Sequence, residues 1–208
     1  MVNRIHYFSG LILSVFIAFH LSNQLFSLFG VAAHIEMMTL LRTVYRHIIV
    51  ETVLLLTVAF QVVTGIKLLF NKRKKSMVEK VQLYSGLYLS LFLIIHVAAV
   101  MYGRQLQLDT NFYFAAAGMN MYPINLVFIP YYFFAVVAIA LHLSSLHYLK
   151  TKSKKVSYGI AVIGIIVAIL IIIGYTNALK WREVPAEYQN FICISSSSNF
   201  FRNSVVLR

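Results

Sequence analysis

Apolar residues are gathered into five long runs, at residues 7–29, 47–70, 83–101, 125–149 and 158–178, separated by short polar stretches. A helix needs roughly 20 apolar residues to cross a hydrocarbon core of about 30 Å. Each run meets that length, so the pattern predicts an all-α integral membrane fold. The first, third, fourth and fifth runs contain no Asp, Glu, Lys or Arg, and the second carries Glu51 near one end and Lys67 near the other. Charged side chains so placed can reach the interfaces along their own stems. The first run is too long for the apolar region of a secretory signal and lacks a small-residue cleavage site, so it reads as a span.

Orientation follows from the basic residues. Asn71-Lys72-Arg73-Lys74-Lys75, with Lys80 beyond, follows the second run, and Lys150-Thr151-Lys152-Ser153-Lys154-Lys155 follows the fourth. Both stretches lie on one side, together with Arg4; the opposite short loops hold Arg42, Arg46 and Arg104. The positive-inside rule predicts a cytoplasmic N-terminus and an extracytoplasmic C-terminus. Residues 1–179 then form the membrane domain, and residues 180–208, with Ser195 to Ser198, a polar extracytoplasmic tail, partly disordered.

Composition agrees: 60% of the 208 residues are hydrophobic and 12% charged, about half the charge of a soluble domain. The net charge of +12 is accounted for by topology and anionic headgroups, and no nucleic acid is expected. One cysteine, Cys193, permits neither an intrachain disulfide nor a cysteine metal cluster. Residues 36–46 continue the helical pattern ahead of the second span, which places part of that stretch in or above the outer interface. Residues 103–123, with Tyr113, Phe114 and Tyr122, form a second outer segment suited to headgroup level.

The first and second spans form one hairpin and the third and fourth another, with polar side chains at matching places. At about 1.5 Å per residue, His20 and His96 each lie about 20 Å from the cytoplasmic edge, Gln61 about 14 Å and His142 about 11 Å. Intramembrane histidines face the interior and need partners. One reading is an interhelical hydrogen bond. Two at one depth, on non-adjacent spans, also suit a haem b iron held between opposed imidazoles, each donating its second N–H to a carbonyl or hydroxyl. Ser22, Asn23, Ser144 and Ser145 are nearby polar candidates. Arg42, Arg46 and Arg104 could meet haem propionates. His6, His34, His47 and His147 are expected at the surface or interface.

Phe19-His20-Leu21-Ser22-Asn23, Glu51 followed by Gln61-Val62-Val63-Thr64-Gly65-Ile66-Lys67, Ile95-His96-Val97 and Leu141-His142-Leu143 together resemble the membrane cytochrome b subunit of succinate dehydrogenases and fumarate reductases, in its single-chain, five-helix form. The resemblance implies a haem-binding anchor in the cytoplasmic membrane. It would pass electrons between a cytoplasmic flavoprotein and iron–sulfur assembly and a quinone. It also implies an outer haem on His20 and His96 and an inner one on position 61 and His142. The family pattern has histidine where this chain has Gln61, so one haem is expected rather than two. The alternatives are a haem-free structural subunit or scaffold of a membrane complex and, needing a polar path that Pro130 and Gly65 do not open at mid-membrane, a small transporter.

Overall fold

The computed structural model describes residues 2–69 and 76–197. The basic stretch from Asn71 to Lys75 and the last residues of the tail lie outside them. Eight α-helices are described: α1 (Val2–Leu25), α2 (Val31–Tyr45), α3 (Ile48–Leu69), α4 (Met77–Gln105), α5 (Phe112–Asn120), α6 (Asn125–Thr151), α7 (Lys154–Thr176) and α8 (Ala186–Ser197). A 3-10 turn, Phe26–Phe29, separates α1 from α2. Five helices, α1, α3, α4, α6 and α7, are long and apolar enough to cross a membrane. Among the described residues there is no strand.

Local chemistry sets the boundaries. Ser76 and Glu79 form a reciprocal capping box that starts α4, the Glu79 carboxylate accepting from the Ser76 N–H at 2.9 Å. Asn111 accepts from the Tyr113 N–H at 2.9 Å and starts α5. Gly30, at φ 111°, makes the reversal between the 3-10 turn and α2. The polar residues that bound each apolar run therefore continue the helices, and α4 extends six residues before the run at 83–101 and four beyond it.

The five long helices pack as a closed ring: α1 on α3, α3 on α4, α4 on α6, α6 on α7, and α7 back on α1. The α6/α7 seam is the tightest, because a Cβ on Gly164 would come within 2.0 Å of the Ala140 Cβ. Only 11 to 28% of each span's most apolar window is buried, so most of the surface of these helices is left for lipid.

The dense packing lies at one end, called here the capped end, where α2, α5, α8 and the 3-10 turn close over the ring. The largest fully buried side chains, Tyr188, Phe112, Met119, His34, Thr176 and Ser27, all belong to it. Phe112 stacks on Tyr175 at 4.6 Å, and Arg182 donates to the Gly174 carbonyl at 3.0 Å near the end of α7. Within the tail expected to be partly disordered, α8 is folded onto α5: Val184, Tyr188 and Ile192, at four-residue spacing, bury one face, and the Tyr188 hydroxyl donates to the Asp109 carbonyl at 3.0 Å.

Candidate functional site

α1 and α4 are not neighbours in the ring, yet His20 and His96 face each other across it, ring centres 6.2 Å apart and planes at 69°. Phe16, one turn before His20, stacks on it at 5.5 Å and 20°; Phe92, one turn before His96, stacks on that ring at 5.1 Å and 12°. The two imidazoles are thus shelved in the same way.

Their hydrogen bonding differs. Gln24 Oε1 receives the Tyr175 hydroxyl and faces His34 Nε2 at 3.2 Å, which leaves its N–H to donate to His20 Nε2 at 3.3 Å. The His20 lone pair is therefore on Nε2. For the half-buried His96 there is no hydrogen-bond partner among the described residues; its ring contacts are His20 and Phe92.

A second polar level lies nearer the opposite, basic end. Gln61 on α3 meets Ser9 at 2.7 Å and His6 Nε2 at 3.3 Å. The Thr64 hydroxyl is committed to the Phe60 carbonyl, so His6 Nδ1–H donates to Thr64 Oγ1 at 2.9 Å. His142 on α6 donates Nδ1–H to the Gln82 carbonyl at 3.1 Å and has Ser85 Oγ at 3.4 Å. Gln61 and His142 are thus each bonded within their own helix pair.

These parallels trace to an internal repeat. Residues 9–20 read SGLILSVFIAFH and residues 85–96 read SGLYLSLFLIIH, identical at seven of twelve positions. The repeat is structural as well. Ser9 and Ser85 donate to Ile5 and Val81 carbonyls, and Ser14 and Ser90 to Gly10 and Gly86 carbonyls, all at 2.7 to 2.9 Å. A Cβ on Gly10 would lie 3.3 Å from the Gln61 amide, and one on Gly86 3.1 Å from His142. Ser-Gly ten residues before the histidine was the available sequence signal for Phe16, Phe92, Gly10 and Gly86.

Of the histidines expected at the surface or interface, His34 is buried, and His6 and His147 are half-buried. His34 is 2% exposed, because α2 folds back and presses it against Tyr175 and Phe112. Burial, then the charges of His20 and Arg42, hold its pKa down at about 4. His6 is turned inward against α3, and the buried Nε2 of His147 has no partner among the described residues. His47 is exposed, as expected.

The three arginines named for propionates gather at the capped end with different commitments. Arg42 pairs with Asp109 at 2.8 Å, and Arg104 is bound by both Glu51 oxygens. Arg46 reaches the Thr110 hydroxyl at 2.9 Å and has no carboxylate partner among the described residues. Its neighbour Tyr45 packs edge-on against Phe16, the shelf under His20.

No protein-family model, curated protein or solved structure matches the chain. The fit of a haem therefore rests on the donor set. With metal–nitrogen bonds of about 2 Å and a ring radius of roughly 1 Å, imidazoles on opposite faces of one iron stand roughly 6 Å apart. The 6.2 Å between the His20 and His96 ring centres is compatible with that spacing. The pair Gln61 and His142 does not supply an equivalent donor set, since an amide is a poor iron ligand.

Proposed function

We propose that this chain is a haem b-binding membrane anchor that passes electrons between a peripheral flavin and iron–sulfur assembly, of succinate dehydrogenase or fumarate reductase type, and a membrane quinone. The observation that carries the reading is the pair His20 and His96, brought to within 6.2 Å of each other from helices that are not neighbours in the ring, which would be the residues to hold the iron. In this reading the basic end is cytoplasmic and meets the partner subunits, and the capped end is extracytoplasmic in the cytoplasmic membrane.

Bound haem supplies a one-electron couple. The protein's share is placement. Phe16 and Phe92 fix the ring planes of His20 and His96, and Gln24 keeps the His20 lone pair on Nε2, where iron would replace the amide N–H. Arg46 is the cation left available for a propionate once Arg42 and Arg104 are paired.

The second reading, a haem-free scaffold, draws on the same Gln24 bond, which already satisfies His20. The two readings separate on His96→Ala and His20→Ala. A haem protein loses the low-spin spectrum of that site with either change, whereas a scaffold shows no haem band before or after. Affinity capture in mild detergent should bring down a flavoprotein and an iron–sulfur protein. Capture of neither would refute the partner assignment.

A further inference from the structure

The two halves of the internal repeat differ in one place where the first leaves space. Between α1 and α3 lies a cleft of about 450 Å³, walled by Phe8 and Ile12 of α1 and by Val53, Leu56 and Phe60 of α3. It is on the lipid-facing side of that contact, since Phe8, Leu56 and Phe60 are each more than half exposed. From Arg4, at its basic end, to Ile12 it runs about 12 Å along the helix, so it stays within one leaflet of a hydrocarbon core about 30 Å thick.

The second helix pair has no such vacancy at the corresponding residues. In register with the repeat, Ile12 corresponds to Tyr88, whose hydroxyl crosses to the Tyr131 carbonyl of α6 at 2.9 Å. Gln61 and His142 sit alike, against Gly10 and Gly86, and from them Thr57 corresponds to Ala138. Thus α4 and α6 bridge the groove with a tyrosine and wall it with an alanine, whereas α1 and α3 leave it open and place a hydroxyl in its wall.

We propose that this cleft binds one anionic glycerophospholipid, its phosphate on Arg4, an ester carbonyl on Thr57 and an acyl chain along the apolar walls. Two polar groups in the lining lack partners. Thr52 and Thr64, on the same helix, each donate to the carbonyl four residues back, but Thr57, 5% exposed, has no hydrogen-bond partner among the described residues. A buried hydroxyl facing an apolar cleft favours an occupant that brings an acceptor. Arg4 also lines the cleft and has no carboxylate partner among the described residues, in contrast to Arg42 and Arg104. A guanidinium at the mouth of an apolar groove is complementary to a phosphate that carries a hydrocarbon chain. Lipid retention here is independent of any haem at the His20–His96 level.

The test is native mass spectrometry of the delipidated full chain in mild detergent, titrated with dioleoylphosphatidylglycerol, dioleoylphosphatidylcholine or oleic acid. One phosphatidylglycerol per chain should be retained about fivefold more strongly than phosphatidylcholine, the share of one basic residue at an anionic lipid. Arg4→Gln should bring the two lipids level. Ile12→Tyr copies the second helix pair, fills the cleft and should lower retention of both, with an unchanged lipid-free melt as the check on folding. Thr57→Ala, a gentler change to the residue of the second pair, should weaken phosphatidylglycerol about threefold, the worth of one hydrogen bond. Equal retention of the two phospholipids by the unmodified chain overturns the site, as does retention untouched by Arg4→Gln or by both cleft variants. Oleic acid held as tightly as phosphatidylglycerol, or a dimer of the chain that Ile12→Tyr dissociates, overturns the choice of occupant.

Discussion

Protonating His34 should loosen the capped end, by an amount that follows from its environment. The imidazole is 2% exposed, its Nε2 is committed to Tyr175 at 2.9 Å, and its Nδ1 is buried without a partner. The folded-state pKa is about 4 against an ordinary 6.5. Between those values the unfolded cap binds a proton that the folded one does not, so unfolding takes up a proton. Stability is full above pH 6.5, falls by about 1.4 kcal/mol per pH unit as pH drops, and levels off near pH 4, a total of about 3 kcal/mol. Trp181, the chain's only tryptophan, sits between α7 and α8 and reports on the cap. Its fluorescence, followed during denaturation in detergent at stepped pH, should show this slope in the unmodified protein. The slope should be missing in His34→Gln, whose amide N–H can still meet Tyr175. Superimposable pH profiles for the two proteins would refute the assignment of the slope to His34.

Two glycines of α7 should respond in opposite ways to alanine. Gly164→Ala drives a methyl into Ala140, and loss of the α6/α7 seam should lower stability by about 1–3 kcal/mol; Gly159→Ala meets nothing within 4 Å and should gain up to about 1 kcal/mol from helix propensity. Thermal melts in one detergent give the order, and equal shifts would contradict the packing. Gly86→Ala pushes on His142 from 3.1 Å across the α4/α6 contact and should lower stability by about 1 kcal/mol in the same melts. Arg104→Ala should lower stability by on the order of 1 kcal/mol, since Glu51 and Arg104 keep 21 and 36% of their side-chain surface exposed; Glu51→Gln/Arg104→Ala should regain most of it in a double-mutant cycle.

The five spans were legible because twenty apolar residues have one common use in a protein, and the runs predicted α1, α3, α4, α6 and α7 to within a few residues at most ends. The longer extensions arise where polar residues continue a helix into the interface, as the Ser76–Glu79 box does for α4. The cap was less legible. Val184, Tyr188 and Ile192 carry a helical stripe, but its burial depends on α5 lying beside it, which no local pattern announces. His34 looked like a surface residue because nothing near it in sequence foretells that α2 folds back onto Tyr175, 141 residues away. Depth counting paired His20 with His96 from helical rise alone, and the structure brings those rings edge-on to each other at 6.2 Å. The same count paired Gln61 with His142. It overlooked His6, which lies near the end of its helix and is turned inward by Thr64 on α3.

The proposed haem site at the His20–His96 level is tested most directly by a dithionite-reduced minus oxidised absorption spectrum of the purified chain, expressed with sufficient haem, beside the His20→Ala/His96→Ala double variant. The proposal predicts a low-spin b-type spectrum with a sharp reduced α-band that disappears in the variant. A Soret-free spectrum, or identical bands in both proteins, would contradict it.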